Sequence, residues 1–325
     1  MTGVSRGTVD RVIHHRGIVA EETRIRIQEV IDEYEFRPNP VGRALSSKKP
    51  YKIGVILIQE NVPFFQVIKE GINSSAYKYR DYPVEVLIQH LPGMDEDDYL
   101  NAFEQLQKQV NAFVIVGYNT EKINRKVNAL AEEGIPVITI NVDLPDSKRN
   151  AYIGIDNYKG GQCLAGIVND MACGKTDVLL LGGHSKNRLE RERLDGFMSV
   201  IHSSIDCSDF FYTQDESEAV DQIVYDQLSK KSYDMIVTFG YGTHIICDVI
   251  DRLHLNKKPH VFGIDLSDES KKCLKEGKIS YIIDQSAFDQ GYKEISYLCE
   301  SFLYDEPLPQ GNVYLPITIH SPYNL

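Results

Sequence analysis

The residues best suited to recognition chemistry stand at 3–17. Gly3 tolerates the positive φ of a tight turn, and Ser5 can cap the free N–H groups of a following helix. Val9, Val12 and Ile13 fall at i, i+3 and i+4, giving one apolar stripe. Arg6, Gly7, Asp10, Arg11 and His14 lie off that stripe, where a recognition helix presents side chains to the major groove of DNA. An arginine there can hold guanine O6 and N7 through paired hydrogen bonds. A carboxylate such as Asp10 is repelled by phosphate unless it accepts from a cytosine amine, and a solvated helix face is its alternative reading. Taken alone, the stretch also fits a short amphipathic surface helix with a basic flank.

Catalytic patterns are missing. The turn Gly182-Gly183-His184-Ser185-Lys186 lacks the spacing of a phosphate-binding P-loop, and neither G-x-S-x-G nor H-E-x-x-H occurs. The six cysteines, at 163, 173, 207, 247, 273 and 299, form no C-x-x-C pair and have no histidine at metal spacing, so reduced thiols are expected, with no metal and no cofactor.

These groups need elements to hold them, and the composition says what kind. The chain has 325 residues, 42% hydrophobic and 25% charged, which suggests two or three soluble domains. It contains no run of 18 apolar residues and no secretory start, so a cytoplasmic location is expected. The net charge of −12 is uneven: residues 1–50 sum to +2, and the rest to −14. Positive charge for nucleic acid is confined to the head.

After a second helical pattern at 20–36, Arg37-Pro38-Asn39-Pro40 halts any helix, and a polar, basic connector follows to Pro50. From Tyr51 short apolar strands alternate with amphipathic helices. Strands are expected at 53–58, 84–88, 112–116, 137–141, 152–155, 178–181, 235–239, 260–264 and 279–283. Helices are expected near 65–79, 96–110, 121–133, 157–172, 188–203, 217–230, 242–253, 268–276 and 287–303. That alternation means α/β architecture with two doubly wound parallel sheets, and a site in the cleft between them.

A basic head, a Pro-Asn-Pro hinge and a two-lobed body together resemble the lac-repressor (LacI/GalR) family of bacterial transcription regulators. The resemblance rests on Gly3-Val4-Ser5, Thr8-Val9, Arg11-Val12, Thr23-Arg24 and the run Pro38-Asn39-Pro40-Val41-Gly42-Arg43-Ala44-Leu45. It implies that Arg6 and Gly7 face base edges, that Arg11 contacts base or backbone, and that Ser5, Thr8 and His14 touch phosphates. Asn39 belongs to the implied hinge helix, and Leu45 matches its minor-groove wedge, an insertion that kinks the duplex. Gly42 replaces the usual Ala and weakens that helix by about 0.5–1 kcal/mol. The family's first head helix has no counterpart before Gly3, so the head is expected to be partial.

The body is similar to periplasmic sugar-binding proteins, whose type I fold this family shares. Asn61-Val62-Pro63-Phe64-Phe65 looks like their N-x-P-F-F loop, with aromatics for a sugar face, and Arg191 to Phe197 resembles R-x-R-x-x-G-F, with Arg193 reaching the ligand. Asp265 matches an acceptor of two sugar hydroxyls, and Gln285 a hinge-side glutamine. Asn141 and Gly240 stand at ligand positions that often hold Asp-Arg and Asn, departures that imply a different or larger ligand. Asp156-Asn157 and Gly160-Gly161 read as structural, capping a helix near the cleft. The competing readings are core packing for Phe64 and Phe65, a surface ion pair for Arg193, and a helix cap for Asp265.

The expected organisation is a partial helix-turn-helix head at 1–36 and a hinge at 37–50, then a body at 51–325. Lobe one should combine 51–155 with 284–307, and lobe two 156–283 with 308–325. The expected function is a homodimeric, ligand-responsive regulator that binds operator DNA and a sugar or polyol effector, without catalysis. The alternative is a sugar-binding protein without DNA activity.

Overall fold

The computed structural model describes residues 3–13, 17–34, 50–184 and 188–325. In the head, α1 (Arg6–Ile13) and α2 (Glu21–Glu33) pack together and bury Val12 and Ile27. Gly3 and Gly17 flank α1 with φ of +66° and +68°, the turn geometry that favours glycine. The Thr8 N–H donates to Ser5 Oγ at 3.2 Å, the expected cap. His14, Asn39, Leu45, the 37–49 hinge segment and the side chain of Arg6 lie outside the described residues.

The body contains two six-stranded sheets among the described residues. Strands β1 (Tyr51–Ile58), β2 (Val84–Leu91), β3 (Ala112–Val116), β4 (Val137–Ile140) and β5 (Ala151–Gly154) build the first. The second holds β6 (Thr176–Gly182), β7 (Ile205–Tyr212), β8 (Met235–Thr238), β9 (His260–Ile264) and β10 (Tyr281–Asp284). Each takes one late strand: β11 (Gly311–Tyr314) joins β5 in parallel, and β12 (Thr318–His320) pairs antiparallel with β10. The orders are β11-β5-β4-β3-β1-β2 and β12-β10-β9-β8-β6-β7. Placing β11 in the first sheet corrects the expected division, which gave 308–325 to lobe two. The chain crosses between lobes after β5, after β10 and after β11.

Parallel strands covered on both faces should be apolar throughout, and β3 and β4 are buried at every residue. Along β6, Val178 and Leu180 enter one core while Leu179 and Leu181 enter the other, the period-two alternation of a strand. Three strands fall where none was expected. β7 is a half-exposed edge with mixed residues, and β11 and β12 are short.

Helices α3 (Pro63–Lys78), α4 (Glu96–Gln107) and α5 (Glu121–Glu132) belong to the first lobe; α6 (Asn157–Met171), α7 (Arg188–Val200), α8 (Ser217–Lys230), α9 (Thr243–Leu253) and α10 (Asp268–Lys275) belong to the second. The last, α11 (Ala287–Tyr304), returns to pack on α3. Asp95, Thr120, Asp156 and Ser267 cap α4, α5, α6 and α10 through their side chains, each satisfying N–H groups that helix geometry leaves free. No helix among the described residues is long and apolar enough to cross a membrane.

One contact governs the site. Helices α6 and α7 cross so closely that a Cβ on Gly161 would run into the Arg193 carbonyl, and one on Gly196 into the Tyr158 carbonyl. Backbone cannot yield there as a flexible side chain would. Gly161→Ala and Gly196→Ala should each cost about 1–3 kcal/mol of stability, the usual penalty for overpacking. Chemical denaturation would read the loss, and a midpoint unchanged in both variants would refute the close crossing.

Candidate functional site in the interlobe cleft

The cleft opens at the carboxyl ends of the strands, where doubly wound sheets place their ligands. It is a cavity of about 210 Å³, and Phe64, Phe65, Asn141, Arg193, Gly240, Asp265 and Gln285 all line it. Proline at the start of α3 suits the first helical turn, and the two phenylalanines after it line the cleft. Phe64 is half-buried while Phe65 is buried in the lobe-one core, so Phe65 serves core and cleft together. Their rings meet edge to face at 5.3 Å.

Arg193 sits on the buried face of α7, only 2% exposed, which removes the surface ion-pair reading. Its Nε donates to Asn157 Oδ1 at 2.9 Å, Nη1 to the Phe239 carbonyl at 2.7 Å, and Nη2 to Gln285 Oε1. These bonds use three of the five guanidinium donors, leaving capacity for a ligand. Asn157 therefore does more than begin a helix; it orients this arginine.

Gln285 continues the network, donating from Nε2 to Asp265 Oδ1. Asp265 follows β9 with a φ of +79°, and its N–H donates to the Ile283 carbonyl at 3.0 Å. It caps no helix, because Ser267 caps α10. Burial pushes its carboxyl up to about 6, against the opposing pull of Arg193 and the Gln285 hydrogen bond. Asn141, with φ +60°, follows β4; its N–H donates to Gln290 Oε1 at 2.9 Å, and Gln290 Nε2 donates to the Gln285 carbonyl at 2.9 Å.

Gly240 lines the cleft without a side chain, and the reason is steric. A Cβ there would come within 2.9 Å of Asp215 Oδ1 and 3.0 Å of the Gly183 Cα. Asp215 occupies that corner together with Glu190, whose carboxylate accepts the N–H groups of Gly183 and, at 3.0 Å, His184. Burial, then the Asp215 charge, raises the Glu190 carboxyl to about 7; burial raises that of Asp215.

Glu190 and Asp215 were not anticipated from sequence. Glu190 lies three residues before Arg193 and seven before Phe197, so helical spacing alone could place it on the same face. Asp215 follows β7, the strand whose mixed edge pattern hid it. Gln59, Tyr118, Tyr241 and Thr243 also line the cleft without having been singled out. In the head, Ser5 and Thr8 bond each other at 2.9 Å between hydroxyls, a Cβ on Gly7 would meet Ser5 Oγ at 3.9 Å, and Arg11 is exposed.

The raised carboxyl of Asp265 has a definite sign. Its ordinary value is about 3.9 in an unfolded chain, so between that and about 6 the folded chain holds a proton that the unfolded chain releases. The group thus costs stability at pH 7, and the cost shrinks as pH falls below about 6 and is gone only near 3.9. Thermal melts of the ligand-free chain should show it gaining stability on an Asp265→Asn variant between pH 7 and 5; a constant difference would contradict the burial cost.

Residues 53–300 match the periplasmic binding protein domain, and residues 1–39 match the lacI family of bacterial regulatory proteins. Catabolite control protein A of Streptococcus mutans serotype c is 34% identical over 164 residues, 49% of this chain and 46% of that protein. Its counterpart in Staphylococcus aureus is 25% identical, over 62% of this chain and 59% of that one. The chain thus spans about half the length of the first relative and under two thirds of the second. The ribose operon repressor of Lactococcus lactis subsp. lactis is 24% identical over 97% of this chain and 92% of its own. Among solved structures, a Burkholderia graminis ABC-transporter solute binding protein in complex with D-arabinose superposes with a TM-score of 0.78 at 20% identity, covering 85% of this chain and 96% of that one. A Bacillus halodurans solute binding protein with bound myo-inositol gives 0.77 at 17%, covering 86% and 97%. These likenesses establish the two-lobed type I fold. The chain belongs to the periplasmic binding protein domain family and carries, at residues 1–39, a segment of the bacterial lacI regulatory family.

Proposed function

We propose that this protein is a ligand-responsive bacterial transcription regulator, a cytoplasmic homodimer that binds operator DNA through its heads and a sugar or polyol through its cleft. The observation that carries the reading is the lacI-family segment at 1–39 on the same chain as a cleft lined by Phe64, Arg193, Asp265 and Gln285. The chemistry suits a polyol. Asp265 accepts from hydroxyls, Arg193 donates with its remaining N–H groups, and Phe64 offers a face to the apolar C–H side of a ring. In the head, Ser5, Thr8 and His14 would fix register on phosphates, and Arg6 and Arg11 would read bases beside Gly7. Asn39 and Leu45 would act in the hinge, with Leu45 as the minor-groove wedge. The relatives are regulators, and the cleft is assigned no catalytic step.

Titration calorimetry against a panel of pentoses, hexoses and inositols tests the cleft. Asp265→Ala should weaken the bound member about 10- to 100-fold, the loss expected for hydrogen bonds to a charged group; unchanged affinity would sink the assigned site.

Coupling to DNA is tested separately, with sequences enriched by the full chain from a random duplex pool. The bound sugar should change DNA affinity about 5- to 150-fold, and DNA should change sugar affinity by the same factor. Enrichment of no sequence would leave the sugar-binding alternative in place of the regulator.

A further inference from the structure

The corner of the cleft beneath Gly183 and Gly240 departs most from a site built only for neutral hydroxyls. A Cβ on Gly183 would strike oxygens of both Asp215 and Glu190, so the two carboxylates converge on one point of the cleft wall. Gly240 leaves open the space that Asp215 Oδ1 fills. The Glu190 oxygens are already engaged by backbone N–H groups, whereas the hydrogen bond described for Asp215 is a single Tyr241 N–H at 3.3 Å.

The charge balance follows from these placements. Among the described residues, Glu190, Asp215 and Asp265 line the cavity against one guanidinium, Arg193. That guanidinium is drawn toward Asn157, Phe239 and Gln285 rather than paired directly with a carboxylate. Of the two histidines facing the cleft, His244 is disfavoured as a cation by burial, and His184 lies beside Asp215 and partly offsets its charge. On the opposite wall Asn141 is 8% exposed, yet its side-chain amide makes no hydrogen bond to the described residues. A polar ligand group is the partner that this amide lacks.

We propose that Asp215 is the specificity-determining residue of the cleft and that the effector is an amine-bearing sugar or polyol. Its ammonium is held by Asp215, with the Glu190 carboxyl behind it. A cation restores the balance of the site and supplies the donors that Asp215 lacks. A neutral sugar would offer only a hydroxyl at this corner. A uronate or sugar phosphate would bring negative charge to a corner where two carboxyl groups already converge and be rejected.

The inference rests on the carbohydrate reading of the cleft, and the test separates the two. The full chain is titrated with neutral hexoses and pentoses, with their amino-deoxy counterparts, and with the matching uronates and phosphates. The expected result is that for whichever ring binds, the amine binds at least tenfold more tightly than the neutral parent, the acids do not bind, and Asp215→Asn removes the preference. A neutral parent that binds as tightly as its amine overturns the ammonium proposal while the carbohydrate reading stands. A preference that survives in a folded Asp215→Asn overturns the role of Asp215. Binding by no member of the panel overturns both readings. The wild-type preference alone decides the ligand class if the variant does not fold.

Discussion

A guanidinium buried to 2% exposure is the constraint on which the cleft depends. Moving such an ion out of water is unfavourable unless its donors find acceptors, and partial pairing leaves much of the penalty in place. Arg193 meets this demand with one acceptor from each of three directions: Asn157 on α6, the Phe239 carbonyl beyond β8, and Gln285 at the crossover after β10. Those acceptors belong to segments far apart in sequence. They can converge only if the second sheet, helix α6 and the crossover are already assembled, so the arginine reports a completed fold. Burial lowers its own proton affinity, and the nearby charges of Asp265 and Glu190 oppose that change.

The backbone around the arginine is arranged to permit this convergence. Gly161 and Gly196 let α6 and α7 approach until side-chain atoms would collide with carbonyls, which brings Asn157 within reach of Nε. Asn141, Asp265 and Ser286 adopt positive φ at strand ends and at the crossover, where the chain turns sharply into the cleft. Such backbone is held against its own preference by neighbours. Here those neighbours are Gln290, which takes the Asn141 N–H, and Ile283, whose carbonyl takes that of Asp265.

Much of the architecture was legible because its signals are local. Near-continuous apolar strands between amphipathic helices specify parallel sheets, and β1, β3 and β9 lie where their composition places them. β7 was hidden because an edge strand buries only part of each face, so Asp206, Ser208 and Asp209 interrupt its apolar pattern. The lobe assignment of β11 depended on a pairing with β5 that four exposed or half-exposed residues do not announce. At the site, motif likeness located Phe64, Phe65, Arg193, Asp265 and Gln285, and all line one cavity. The departure at Gly240 could be seen in sequence, but its cause could not. Asp215 lies 25 positions away and reaches the same corner only through the order of the second sheet.

The same crossovers link the two lobes through one chain of hydrogen bonds. From Arg193 in lobe two, hydrogen bonds pass to Gln285 at the crossover, from the Gln285 carbonyl to Gln290 on α11, and from Gln290 to the backbone of Asn141 in lobe one. Gln290 is 1% exposed, so a partner it loses must be replaced within a buried site. A ligand that draws Arg193 or Asp265 toward itself competes with Gln285 for the same atoms, and Gln285 is fastened on its other side to the lobe-one helix. Displacement at one end must therefore be absorbed at a crossover where Ser286 already holds a left-handed conformation and donates its hydroxyl to the Pro316 carbonyl of another crossover. Packed segments with few alternative arrangements answer such a demand by shifting between discrete geometries rather than by bending smoothly. The same α11 packs along α3, so a shift of Gln290 would bear directly on the helix pair of the first lobe.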